Sequence, residues 1–317
     1  MQIACHQTTL ANQVNQPITG RLTTLNRGEL EPHNRQLHAL IAFPPEQMVF
    51  MDTGLRGKTA LITGGSSGIG LGIAQVLASE GVDVAVASRK PDQAVVDQLK
   101  SQGSNALGIA ADVTSESDVV AMFREAIDTF GHLDLFINNA SRAIHKPITQ
   151  IDRPQYDAVI GTNLTGCLFA CREAARHMIP RKSGAILIVG STSMFTPGPT
   201  EIVYRISKYG LRPIMQSLAI ELAPHNIRCN LLIPGYYRTR LTADIPDQVE
   251  DQLMQEIPLG RAGETVECGN AAALLLSDQV GGYITGAELL VDGGVSLRPM
   301  FFGNQAELAA LNDPPET

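Results

Sequence analysis

The chain has 317 residues, with 24 basic against 32 acidic side chains, a net charge of −8, 44% apolar residues and 18% charged ones. That composition is that of a folded chain with room for a substantial core, and it argues against a nucleic-acid partner, which would need a basic face for phosphates. No apolar run approaches the roughly 18 residues of a membrane helix, and five cysteines without a CxxC pair argue against a disulfide framework or a metal site and for a reducing, cytoplasmic setting.

In chain order, residues 1–50 come first. They are rich in Gln and Asn, show no sustained apolar period and read as a poorly ordered extension. Leu37, Leu40 and Ile41 fit a short helix that Pro44 and Pro45 stop. The stretch has neither the basic start nor the apolar core of a secretory signal. Arg21 and Arg27, with no acid in residues 1–28, echo a transit peptide, but no amphipathic Arg-rich face goes with them. Met51 is an alternative start.

From Met51 the rhythm changes. Strands are predicted near 59–64, 83–89, 106–113, 133–140, 185–191, 227–234 and 288–292, with helical patterns at 69–80, 115–130, 153–179, 204–223 and 264–277. Strands that are apolar throughout are buried on both faces, as in a parallel sheet between helix layers. The predicted fold is α/β: a single doubly wound Rossmann-type domain over 51–298, with a seven-stranded parallel sheet, helices on both faces and a tail at 299–317. Ligands in such folds sit beyond the carboxyl ends of the strands.

The first strand runs into Thr63-Gly64-Gly65-Ser66-Ser67-Gly68-Ile69-Gly70 and then a helix. Glycines there allow a tight turn and close approach to a pyrophosphate, and the helix N-terminus offers free N–H groups. The second strand ends at Ser88-Arg89-Lys90, where an NAD-binding fold carries an acid for the ribose. Arg89 is instead placed to pair with a 2′-phosphate, so NADP(H) is preferred over NAD(H). Asp112, ending the third strand, is placed to accept from an adenine amino group or, alternatively, to cap the turn beside Thr114 and Ser115.

Tyr204 and Lys208 lie four apart in a helical stretch and so share a face. A nearby ammonium would lower the tyrosine's pKa and make the pair a proton donor and acceptor for alcohol–carbonyl chemistry. Ser191 ends the fifth strand, where a hydroxyl can bond a substrate oxygen as charge develops; Ser193 is the runner-up. Asn163 interrupts the apolar helix 153–179, where it either bends the helix or holds a water beside Lys208.

From about Leu55 to Gly294 the chain resembles the short-chain dehydrogenase/reductases of the roughly 250-residue type. The resemblance rests on the Thr63–Gly70 turn, Asp112-Val113, Asn138-Asn139-Ala140, Asn163, Ser191 and Tyr204-x-x-x-Lys208. It continues in Pro234-Gly235, Thr239, Thr285-Gly286 and Val291-Asp292-Gly293-Gly294. It implies an Asn163–Ser191–Tyr204–Lys208 tetrad in which Tyr204 is the general acid or base. Lys208 would lower the tyrosine's pKa and hold the nicotinamide ribose, Ser191 would orient the substrate oxygen and Asn163 would anchor a relay water. The same resemblance implies a cofactor bed that also uses Val113, Asn138, Ala140, Pro234, Gly235, Tyr237 and Thr239. It further implies a homotetramer or homodimer built on helices 153–179 and 204–223. Two departures from the family pattern border the cofactor: Ser141 stands where glycine is usual, and Tyr237 where valine or isoleucine is usual. The Tyr-x-x-x-Lys spacing argues against the enoyl-carrier-protein reductase branch.

Segment 235–262 is expected to form a mobile loop over the substrate. Its Tyr236, Tyr237, Leu241, Ile245 and Met254, with Met194 and Phe195, either line an apolar pocket or pack beneath the loop. Arg142, His145 and Lys146 either meet an anionic substrate tail or form a solvated edge. The expected partner is a small alcohol or carbonyl substrate, free or linked to a carrier protein or CoA. The alternative is a non-catalytic NADP(H)-binding sensor or scaffold.

Overall fold

The computed structural model describes residues 52–297 except Asp244 and Pro246; the predicted extension at 1–50 and the tail at 299–317 lie outside the described residues. Seven parallel strands form one sheet in the order β3-β2-β1-β4-β5-β6-β7. They are β1 Thr59–Thr63, β2 Asp83–Ser88, β3 Ala106–Ala110, β4 Leu135–Asn138, β5 Gly184–Val189, β6 Ile227–Pro234 and β7 Glu288–Val291. The chain winds outward from β1 to one edge and then from β4 to the other, so the order reverses between β1 and β4. Ligand crevices open at such a switch point.

Alternation along each strand feeds two cores. Leu61, Ala85, Ile109, Phe136 and Ile186 face one layer, while Ala60, Ile62, Val84, Val86, Leu135 and Leu187 face the other. The first layer comprises α3 Glu116–Phe130, α5 Gly166–Arg181 and α7 Leu211–Leu222. The second comprises α1 Gly68–Ser79, α2 Gln93–Ser101 and α9 Thr265–Leu276. Between them in sequence lie α4 Arg153–Ile160, α6 Ile202–Tyr209 and α8 Asp247–Glu256. Among the described residues, no helix is long and apolar enough to cross a membrane.

Several boundaries differ from the sequence-based expectation. β3 stops at Ala110, because Asp112 turns the chain by accepting from Thr114 N at 2.9 Å. The continuous helix expected over 153–179 is three pieces: α4, a π turn Gly161–Thr165 that contains Asn163, and α5. The helix expected over 204–223 breaks at Gly210, since Pro213 has no N–H for the Tyr209 carbonyl and its ring crowds that turn. The stretch 235–262, expected as a loop, contains α8.

One buried charge secures the β6 side of the sheet. Arg228, 8% exposed, donates to the Leu275 carbonyl at 2.5 Å, the Leu276 carbonyl at 2.9 Å and Asp278 Oδ1 at 3.0 Å. A cation suits the carbonyl end of α9. Replacing Arg228 by Met should cost about 2–4 kcal/mol by stranding those acceptors, read as a lower urea midpoint with an unchanged m value.

Candidate active site

The Gly64–Ser67 turn lies between the carboxyl end of β1 and the start of α1. Gly64 has a left-handed backbone, φ +66°, and a Cβ there would stand 2.9 Å from Ala140 Cα. A Cβ on Gly70 would run into Asn139 Nδ2 and the Gly64 carbonyl oxygen. Asn139 Nδ2 donates to the Thr63 and Gly64 carbonyls at 3.1 and 3.0 Å, while Asn139 N and Ala140 N both donate to Thr63 Oγ1. The turn is thus stapled to the end of β4, where Asn138 pairs with Thr63. Asn139 is the clamp of this turn, a role that no sequence spacing marks.

Ser115 and Asp152 cap α3 and α4 with side-chain oxygens, but Ser67 makes no such bond at the start of α1. The first-turn N–H groups of α1, from Gly68, Ile69 and Gly70, therefore meet no capping side chain and suit a phosphate. Ser66 Oγ donates to Ser88 Oγ at 3.2 Å, joining the turn to the end of β2. Arg89 and Lys90 follow, both exposed. Asp112 Oδ1 accepts from Thr114 N and Oγ1, which chiefly holds its carboxyl below the usual range; Arg89 and Arg142 add to this. The turn-capping alternative for Asp112 is therefore realised at Oδ1, while Oδ2 has no hydrogen bond among the described residues. Val113 packs with its carbonyl 2.8 Å from where Gly166 would carry a Cβ.

Across the crevice, β6 ends at Pro234, and Gly235 N donates to the Val291 carbonyl at 3.0 Å. Thr239 sits over the phosphate turn, its Cγ2 3.2 Å from the Cβ position of Gly68. Arg240 Nη2 donates to Ser67 Oγ at 3.3 Å, a contact that no sequence motif announced. Tyr237 does not point its side chain into the crevice. It is 3% exposed, packs beside Gly263 and donates to the Val291 carbonyl at 2.9 Å. Met194, a candidate pocket residue, is likewise core, at 3% exposure. Phe195 is exposed, with the Arg212 guanidinium 5.2 Å from its ring centroid. His145 faces Glu201 at 3.8 Å, and Lys146 N donates to the Thr200 carbonyl.

The four candidate catalytic residues come from three segments: Asn163 from the π turn, Ser191 from the end of β5, and Tyr204 with Lys208 from α6. Ser191 Oγ accepts from Ser193 N at 3.2 Å and from Ser193 Oγ at 3.0 Å, which leaves its own proton to donate toward Tyr204. Lys208, 3% exposed, donates from Nζ to the Val189 carbonyl at 2.9 Å and stands 5.8 Å from the Tyr204 ring centroid. Burial pushes the Lys208 ammonium down to about 8. Burial also pushes the Tyr204 phenol up; the Ser191 and Ser141 hydroxyls pull it down, and Glu201 raises it. The expectation of a phenol lowered by Lys208 is therefore overturned, because desolvation outweighs the neighbours and the ammonium is turned to Val189. Asn163 sits in the π turn between α4 and α5. Its Oδ1 accepts from Arg142 N at 2.8 Å, and its Nδ2 donates to the Arg142 carbonyl at 2.8 Å and to Ser207 Oγ at 2.9 Å.

A family model described as Enoyl-(Acyl carrier protein) reductase matches residues 64–296. The solved short-chain dehydrogenase/reductase of Serratia marcescens BCRC 10948 superposes with a TM-score of 0.72 at 34% identity, covering 76% of this chain and 99% of that one. The chain belongs to the short-chain dehydrogenase/reductases. Membership places it among nicotinamide-linked oxidoreductases of alcohols and ketones. Two relatives in this family are nearly equally similar. The 3-oxoacyl-[acyl-carrier-protein] reductase FabG of Staphylococcus aureus (strain N315) is 35% identical over 241 residues, 75% of this chain and 98% of that one. The 3beta-hydroxysteroid dehydrogenase 1 of Eggerthella lenta is 34% identical over 253 residues, 78% of this chain and 97% of that one. The uncapped α1 terminus, the close approach at Gly64 and the inward-held Lys208 fit the dinucleotide that such enzymes use.

Proposed function

We propose that this chain is an NADP(H)-dependent oxidoreductase that interconverts a secondary alcohol and a ketone, with Tyr204 as general acid and base. The preferred substrates are 3-oxoacyl, polyketide-like or other apolar carbonyl compounds. The observation that carries the reading is the convergence of Ser191, Tyr204 and Lys208 beyond β5, with the Ser191 proton left to donate.

Bound NADP(H) supplies or accepts the hydride. The protein's part is orientation and proton traffic. Ser191, polarised by the Ser193 hydroxyl, donates to the substrate oxygen as negative charge develops there. Tyr204, a phenol at neutral pH with its pKa raised by burial, gives its proton to that oxygen in reduction and takes it back in oxidation. Lys208 uses one N–H on Val189 and offers the others to the ribose. Asn163 fixes the backbone at Arg142 and steadies the wall opposite Tyr204.

Arg89 supports the NADP preference, because it is exposed at the end of β2 and the position carries no acid. Replacing Arg89 by Ala should raise the NADPH dissociation constant about 10- to 100-fold, the loss of a charged hydrogen-bonding partner, and leave NADH within about twofold. Titration of cofactor fluorescence checks this, and a native preference for NADH would overturn it. The activity itself is tested by following NADPH consumption across a ketone panel that includes carrier-linked 3-oxoacyl and steroid ketones. Turnover of enoyl substrates alone would move the reading to C=C reduction.

A further inference from the structure

The segment after β6 carries two exposed arginines in different situations. Arg238 is committed: its Nε donates to Glu250 Oε1 at 2.5 Å, an ion pair with α8. Arg240 has no carboxylate partner among the described residues, and its one hydrogen bond there runs from Nη2 to Ser67 Oγ at 3.3 Å. The local backbone sets its position. Thr242 Oγ1 accepts from Thr239 N and donates to the Tyr237 carbonyl, each at 2.9 Å. Thr242 N donates to the Thr239 carbonyl at 3.1 Å, and Leu241 N donates to Thr239 Oγ1 at 3.2 Å. These bonds close 237–242 into a tight turn. Thr239 Cγ2 then lies 3.2 Å from the Cβ position of Gly68, which brings that turn down on the start of α1. The phosphate turn itself holds no cation, since residues 63–72 include neither lysine nor arginine. A pyrophosphate there would meet N–H groups of the turn and helix, and positive charge has to come from another segment.

We propose that Arg240 is a cofactor-binding residue whose guanidinium meets the pyrophosphate of a dinucleotide held at Gly64–Gly70. The proposal rests on the dinucleotide-binding reading above and adds the charge that the turn lacks. A guanidinium has five N–H donors in a planar fork. The single bond to Ser67 Oγ therefore leaves donors on Arg240 for phosphate oxygens. The role differs from that of Arg89. Arg89 follows β2 and is placed for the 2′-phosphate, which only NADP(H) carries. The pyrophosphate is common to NADP(H) and NAD(H). Arg240 therefore adds affinity for both cofactors, and Arg89 adds the choice between them.

The test is calorimetric binding of NADPH, NADH, ADP-ribose and adenosine 2′-phosphate to the full chain, with no turnover involved. The first three carry a pyrophosphate and the last does not. Arg240→Ala should raise the dissociation constants of all three pyrophosphate ligands by a common factor of about 5–20, the loss of a solvent-screened charged hydrogen bond. Adenosine 2′-phosphate should stay within about twofold, while Arg89→Ala should give the converse pattern. Arg240→Lys keeps the charge without the fork and should recover part of the loss. Arg240 is exposed, so these variants leave the core intact. Unchanged affinity for the three pyrophosphate ligands in Arg240→Ala would overturn the proposal. Equal weakening of adenosine 2′-phosphate would also overturn it, because the substitution would then be disturbing the whole cofactor bed. Failure of the underlying reading is a separate outcome, seen as a parent chain that binds neither NADPH nor NADH. A parent that binds both equally would remove the NADP preference and leave the Arg240 comparison intact.

Discussion

Replacing Tyr204 by Phe is expected to lower kcat for ketone reduction about 10²–10⁴-fold, the usual worth of a positioned general acid. Cofactor affinity and the melting temperature should stay near those of the parent chain. Phe keeps the ring against the surrounding helices and deletes only the oxygen. That oxygen carries the proton to be transferred, and burial raises its pKa above the usual phenol value while the Ser191 hydroxyl lowers it. Without it the substrate oxygen would still receive a hydrogen bond from Ser191, but it would have no proton source within the protein. Steady-state NADPH consumption measures the rate, and cofactor fluorescence with thermal unfolding measures the controls. Turnover within tenfold of the parent would sink the mechanism and leave Tyr204 as a packing residue.

Much of the fold was legible because the physics that shapes it is local. Seven apolar runs appear as seven strands, and β6 keeps its predicted limits at 227 and 234 because all eight residues are buried. Helix continuity was less legible. The period of 153–179 is helical throughout, and nothing in it marks the π turn that lets Asn163 reach back to Arg142. Pro213 did carry a signal for the break at Gly210, since its missing N–H falls in the first turn of α7. Sequence spacing brought Tyr204 and Lys208 onto one face but could not weigh burial against charge, so it put the phenol's shift in the wrong direction. Side-chain direction was equally hidden. Met194 and Tyr237 fit either a pocket wall or packing beneath the loop in sequence, and both are core.

The two relatives bear on where substrate choice resides. A reductase named for carrier-linked 3-oxoacyl groups and a dehydrogenase named for hydroxysteroids match this chain at 35% and 34% identity. A shared fold with different substrates means that the shared residues carry the chemistry and the surrounding loops carry the choice. In this chain those loops hold Phe195, Tyr236 and Leu241, with Leu241 exposed beside Thr239 and Arg240. Asn163 fixes the Arg142 backbone beyond β4. Substitutions at Phe195 and Leu241 should therefore shift substrate preference more than they shift the pH profile.

Lys208→Met is expected to separate function from stability. Its ammonium is buried, and its pKa falls from 10.5 to about 8, so the folded chain carries a charge it would rather release. Below pH 8 that penalty is fully present, about 3 kcal/mol at 1.36 kcal/mol per unit. Between about 8 and 10.5 the folded state gives up the proton while the unfolded state keeps it, and stability rises with pH across that window. Met removes the penalty and also removes the hydrogen bond to the Val189 carbonyl, worth about 1 kcal/mol, so a net gain of about 2 kcal/mol is expected at pH 7. Activity should move the other way. The variant loses the buried cation 5.8 Å from the Tyr204 ring centroid, and turnover should fall at least about 100-fold. In the parent enzyme, kcat/KM for reduction should decline as pH rises through about 8, where the free enzyme loses that charge. Denaturant unfolding at pH 7 and pH 10 checks the stability half. The gain should be clear at pH 7 and shrink toward zero at pH 10. A variant destabilised at both values would mean that the ammonium is held by more than Val189 and that its burial carries no net cost.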